Sequence, residues 1–129
     1  MARKVLIAEP EKDSRNRLAG ILDRAGLETY PAETGAEVVS AVRTIPFDLA
    51  LLDLFLPDVS ALDLIGYMLS VNRRLCPVVM AETKSKEMRM QVMNNGGIAI
   101  ICKPFTDDLV VVTVKTILRK FFPHTQQGS

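Results

Sequence analysis

The sequence predicts a doubly wound α/β domain, an open five-stranded parallel sheet with helices on both faces. Three observations lead there. Short apolar runs recur five times, each followed by a longer amphipathic segment, the alternation that builds parallel sheets. The run Leu49-Ala50-Leu51-Leu52 is apolar without alternating, as a central strand covered on both faces must be. Glycines, prolines and helix-capping residues fall between the runs, where turns are needed.

Val5–Ala8 is the first strand. Asp13 to Ala25 follows as a helix with Leu18, Ile21, Leu22 and Ala25 at helical spacing, stopped by Gly26. Leu27–Tyr30 is a weaker second strand. Thr34 and Glu37 form a capping box for a helix whose apolar face is Val38, Val39, Ala41, Val42 and Ile45, and Pro46 ends it. The third strand runs into Asp53. Ser60 and Asp63 open a third helix, with Leu62, Ile65, Met68 and Leu69 facing inward. Pro77–Met80 is the fourth strand, and Lys84 to Asn95 a helix stopped by Gly96-Gly97. Ile98–Cys102 is the fifth strand, and Thr106 caps a last helix reaching about Phe122. One domain over residues 1–122 is expected, with 123–129 a polar C-terminal tail.

Composition narrows the function classes. Sixteen basic and fifteen acidic residues give a formal charge of +1, which supplies no electrostatic reason for nucleic-acid or anionic-membrane binding. No apolar run approaches a membrane span, and Val5–Ala8 is too short for a signal peptide's apolar region. The chain is expected to be soluble and cytoplasmic. Cys76 and Cys102 belong at opposite ends of the sheet, so they should remain separate thiols.

Ligands of such sheets bind beyond the carboxyl ends of the strands. The residues there are Glu9-Pro10-Glu11, Asp53, Glu82-Thr83 and Lys103-Pro104-Phe105. With the stretches Lys4–Glu11, Asp48–Pro57, Pro77–Met80 and Cys102–Phe105, they make the chain resemble a response-regulator receiver domain of two-component signalling. Asp53 lies 44 residues after Glu9 and 50 before Lys103, close to receiver spacing, and the likeness covers essentially residues 3 to 121. It implies a flavodoxin-like fold with strand order 2-1-3-4-5 and a phosphorelay role. Asp53 would be the phosphoacceptor, attacking phosphorus to form an acyl phosphate. Lys103 would contact the phosphoryl group, aimed inward by a cis Lys103–Pro104 bond. Mg²⁺ would be held by Glu9, Glu11, Asp53 and the backbone carbonyl of Phe55.

Several positions depart from that pattern. Receivers usually carry a second acidic residue where Pro10 stands, and proline offers the metal no side-chain oxygen. The switch-hydroxyl position falls at Glu82, with Thr83 one place later and facing the other way. The aromatic switch position is Ile100, and the usual Asp-Gly reads Ser60-Ala61. Mg²⁺ binding is therefore expected to be weakened, phosphorylation weak or absent, and the signal passed by protein–protein contact. Glu82 is expected to pair with Lys103. The alternative is an ordinary phosphorylatable, Mg²⁺-dependent receiver. A flavodoxin-like cofactor-binding enzyme fits poorly, because no glycine-rich phosphate loop follows the first strand.

Met88, Met90 and Met93 read as core filler, and Lys84, Lys86 and Arg89 as a solvated helix face. The last helix carries a broader apolar surface than one stripe requires, around Val111, Leu118 and Phe122. That surface predicts a homodimer or another protein contact there. A sensor histidine kinase or other signalling protein is the implied partner, and neither nucleic acid nor membrane is expected to bind this domain.

Overall fold

The computed structural model describes residues 2–83 and 85–123. The expected tail at 124–129, and Lys84 of the expected helix face, lie outside the described residues. Five strands alternate with five helices: β1 Lys4–Ala8, α1 Lys12–Arg24, β2 Glu28–Ala32, α2 Gly35–Thr44, β3 Leu49–Asp53, α3 Ala61–Val71, β4 Cys76–Ala81, α4 Lys86–Asn94, β5 Ala99–Cys102 and α5 Asp107–Phe121. The strands are parallel in the order β2-β1-β3-β4-β5, as the sequence predicts.

Side-chain alternation along the strands sorts the core into two layers. Leu6, Ala8, Ala50, Leu52, Val79 and Ala81 point to the layer closed by Val38, Val42, Ile65, Met68 and Val92 of α2, α3 and α4. Val5, Ile7, Leu49, Leu51, Val78 and Met80 point to the layer closed by Leu18, Ile21 and Leu22 of α1 and Val110, Val114, Ile117 and Leu118 of α5. Both layers exclude water, so β1, β3 and β4 read as continuous apolar runs.

Several boundaries and surfaces differ from expectation. β2 runs on through Pro31, which an edge strand tolerates because proline's missing donor faces away from the ladder. Met90 and Met93 are exposed rather than packed, and only Met88 of the three methionines lies against the core. On α5, Leu118 and Phe122 are buried in the domain's own core, and Val111 packs partly against it. Phe122 is covered by the guanidinium of Arg3, 4.4 Å from its ring centroid. The breadth of the α5 apolar surface is thus largely explained from within. The large apolar side chains that α5 leaves exposed are Leu109, Val112 and Phe121. Cys76, at the start of β4, and Cys102, at the end of β5, are both free thiols, and burial pushes the Cys76 thiol up to about 11.

Leu118→Ala should therefore act on stability. Truncating a buried leucine costs about 2–5 kcal/mol, read as a lowered urea midpoint. Val112→Ala, at a 60% exposed position, should change the midpoint by less than about 0.5 kcal/mol.

Candidate functional site

Glu9 immediately follows β1, Asp53 ends β3 and Lys103 immediately follows β5. Counting back in steps of two, all three continue the rows that face α1 and α5: Val5 and Ile7, Leu49 and Leu51, Ala99 and Ile101. They meet at one edge of the sheet. The Lys103 Nζ donates to Asp53 Oδ2 at 2.5 Å and to Glu9 Oε1 at 2.7 Å. Glu9 is 1% exposed, so its carboxylate is almost fully removed from water. The second Asp53 oxygen, Oδ1, accepts from the Phe55 backbone N–H at 2.9 Å. The Lys103–Pro104 peptide is cis, as expected. Burial alone would lower the Lys103 pKa. The hydrogen bonds and charges of Asp53 and Glu9 outweigh it and hold the ammonium above its ordinary value.

The loop from β1 to α1 spends its remaining polar groups on backbone. Glu9 Oε2 accepts from the Glu11 N–H at 3.0 Å. The Glu11 carboxylate, expected at a metal site, instead caps α1, accepting from Asp13 N–H and Ser14 N–H at 2.9 Å each. Those bonds to the first turn hold its pKa below the ordinary carboxylate value. Pro10 contributes no oxygen from its side chain. Among the described residues no group of three His, Cys, Asp or Glu side chains is arranged to hold a metal ion.

The expected Glu82–Lys103 pair is absent. Parity does put Glu82 on the row of Val78 and Met80, but β4 ends at Ala81 and the chain bends at Glu82, so alternation no longer steers the side chain. Glu82 and Thr83 are both exposed. The Glu82 backbone carbonyl lies 3.6 Å from the Cys102 thiol. Ile100, at the aromatic switch position, packs half-buried against the α2–α4 layer.

Two residues at the site escape a reading of motifs alone. Arg15 is buried beneath the β1–α1 loop, donating to the carbonyls of Glu9 at 2.9 Å and Pro10 at 3.3 Å, and to Glu33 at 2.9 Å. Its signal was available, since it sits three residues before Leu18 on the inward face of α1. Asp58 ties the β3–α3 loop to α2 by accepting from Gly35 N–H at 2.8 Å and Ala36 N–H at 3.0 Å. Gly35 is required by the close approach, because a Cβ there would meet Val59 Cγ1 at 2.2 Å. No local pattern announces that tertiary bond.

Comparison with known proteins decides the family. The response regulator receiver domain family matches residues 5–115. The chain belongs to that family. It is 35% identical over 126 residues to the transcriptional regulatory protein BaeR of Escherichia coli, covering 95% of this chain and 51% of that protein. It is 29% identical over 117 residues to the transcriptional regulatory protein CusR of Escherichia coli, covering 91% and 52%. The receiver thus spans about half the length of these curated relatives. Among solved structures, a two-component response regulator from Clostridium difficile superposes with a TM-score of 0.88 at 25% identity, covering 93% of this chain and 98% of that one. The chemotaxis protein CheY4 of Vibrio cholerae shares the fold with a TM-score of 0.87 at 20% identity, covering 92% and 100%. Receiver domains are signalling modules rather than classical enzymes, response regulators interact with histidine kinases, and the family generally binds Mg²⁺ at its phosphorylation site. No helix among the described residues is long and apolar enough to cross a membrane.

Replacing Lys103 would leave Glu9 buried without its counter-ion. Lys103→Met should lower stability by about 2–3 kcal/mol, short of the ~3–5 kcal/mol of a fully buried pair because the lysine side chain is 23% exposed. Glu9→Gln in the same chain should restore part of the loss. The Lys103 pKa is raised on folding. The pair's contribution is therefore complete below the unfolded lysine value, about 10.4, and declines as pH rises through the folded one. Urea midpoints measured up to alkaline pH should fall there in the parent and less in the double variant.

Proposed function

We propose that this receiver takes phosphate poorly at Asp53 and passes its signal by contact with other proteins. The observation that carries the reading is the Lys103 ammonium shared between Asp53 and Glu9, in a site where Pro10 and the capping role of Glu11 leave few acidic oxygens to bind a cation. In phosphorylation, an Asp53 carboxylate oxygen would attack phosphorus while the donor's bond to that phosphorus breaks. A phosphohistidine would release its imidazole, and acetyl phosphate would release acetate. Lys103 is the one cationic side chain bonded to Asp53 among the described residues, so it would be the main neutralising group. It would have to serve the phosphoryl oxygens and buried Glu9 together.

Mg²⁺ fits this donor set badly. Of the expected ligands, Glu9 is committed to Lys103 and the Glu11 N–H, Glu11 caps a helix, and Asp53 is engaged at both oxygens, leaving the Phe55 carbonyl without a free acid beside it. No step is assigned to the metal. Thr83 is the nearest hydroxyl in sequence to the switch position, and Glu82 would repel an arriving phosphoryl group.

The natural partner class is a sensor histidine kinase or another signalling protein in the cytoplasm. We assign no nucleic-acid contact to this domain, and a homodimer through α5 would rest on Leu109 and Val112. Mass spectrometry after incubation with acetyl phosphate and Mg²⁺ should find sub-stoichiometric acyl phosphate, lost in Asp53→Asn. Full occupancy would favour the ordinary Mg²⁺-dependent receiver instead. Titration calorimetry should give Mg²⁺ binding strengthened in Pro10→Asp by about tenfold, or ~1.4 kcal/mol. An unchanged affinity would locate the defect elsewhere.

A further inference from the structure

The loops after β3 and β4 enclose a second feature beside Asp53. A cavity of about 400 Å³ opens there, walled by Leu54, Phe55, Met80, Ala81 and Met88. Phe55 stands on its lip 73% exposed. An aromatic side chain so placed loses contact with water only when something covers it. Asp53, Glu82, Thr83 and Lys103 form its polar edge, where Asp53 is paired with Lys103, and Glu82 has no ion-pair partner among the described residues. Glu9 lies just behind them on Lys103. Two carboxylates thus share the one ammonium, and the Glu82 carboxylate on the cavity edge is left without an ion-pair partner among the described residues.

We propose that this cavity receives a segment of a partner protein in which a non-polar side chain neighbours an arginine or lysine. The inference rests on the reading of the chain as a contact-signalling receiver and names the chemistry of the contact. The non-polar side chain enters between Phe55 and Met88. The basic group lies over the edge formed by Asp53 and Glu82. Charge complementarity selects the occupant, since an acidic segment would meet the unpaired Glu82 carboxylate on entering a partly dry recess. The apolar wall is what favours a segment with a non-polar side chain over a bare divalent ion. Glu82 lies on the cavity side, where it can be approached together with apolar wall, while position 10 on the loop after β1 holds no acid.

The test uses the unphosphorylated protein with no phosphodonor present, so its outcome is independent of whether Asp53 forms an acyl phosphate. Isotope-labelled protein is titrated with three acetylated hexapeptides: Gly-Ser-Leu-Arg-Ser-Gly and its counterparts carrying Leu-Glu or Ser-Arg at the centre. The Leu-Arg peptide should give saturable amide shifts at Leu54, Phe55, Glu82 and Thr83, and the other two should not. Glu82→Gln and Met88→Gln, each checked for a native spectrum, should weaken that binding several-fold. Equal binding of the Leu-Glu peptide, shifts centred elsewhere, or indifference to both variants would overturn the proposal. Methylguanidinium reproducing the peptide's shifts and affinity would assign the site to a free small cation and would likewise overturn it.

Discussion

One ammonium joins the ends of three strands. Lys103 is bonded to Glu9, 94 residues earlier in the chain, and to Asp53, 50 residues earlier. Removing an ion the size of a carboxylate from water costs several kcal/mol even after the protein relaxes. Glu9 is almost wholly buried, and what it receives in return is Lys103 and one backbone N–H. Lys103 is therefore a structural counter-ion before it is anything else. Two of its three donor hydrogens go to Glu9 and Asp53, so an anion arriving at Asp53 finds one left unless it displaces a carboxylate. The fold and the charge balance draw on one residue, which couples the stability of the sheet edge to the charge at Asp53.

The β1–α1 loop shows how a site can keep its acidic residues and yet leave few of their oxygens unengaged. Glu9 and Glu11 are both present, yet each carboxylate is consumed locally, one by lysine and a loop N–H, the other by the first turn of α1. Arg15 then fastens the loop from below through the carbonyls of Glu9 and Pro10. Pro10 adds a fixed φ and removes a backbone donor. Freeing either acid would require breaking hydrogen bonds that also hold the helix cap and the loop. A count of acidic residues in the sequence is for that reason a poor guide to the oxygens available.

Where the sequence was legible, a periodicity carried the information. Glu9, Asp53 and Lys103 convergence follows from strand ends and alternation, because Glu9 and Lys103, one residue past β1 and β5, still donate their backbone N–H to Ala32 and Ala81 across the ladder. Glu82 stands at the same place after β4, but the chain bends there, and alternation no longer fixes its side chain. The α5 surface was misjudged for a different reason. A hydrophobic pattern tells how much surface must be covered but not by what. Here the domain's own core covers Leu118 and Phe122, with Arg3 and Arg74 stacked over the Phe122 ring. Met90 and Met93 misled in the opposite direction, since methionine's adaptability makes it equally acceptable inside or out. Asp58 bonded to the N-terminus of α2 is a contact between segments 22 and 23 residues apart, and nothing local encodes it.

A switch needs two arrangements of comparable free energy and a ligand that distinguishes them. In this molecule the groups that would report a phosphoryl arrival are altered together. The position expected to carry a hydroxyl holds an exposed carboxylate, Glu82, and the position expected to carry an aromatic ring holds a half-buried isoleucine, Ile100. Lys103 is already engaged by two carboxylates. A phosphoryl group would bring negative charge to a net negative site and find no hydroxyl at position 82 to pull. A cationic group would meet the opposite situation, since it would find Glu82 unpaired without taking Lys103 from Glu9. In the contact proposed above, the differential affinity that a signal requires would come from positive charge at this sheet edge.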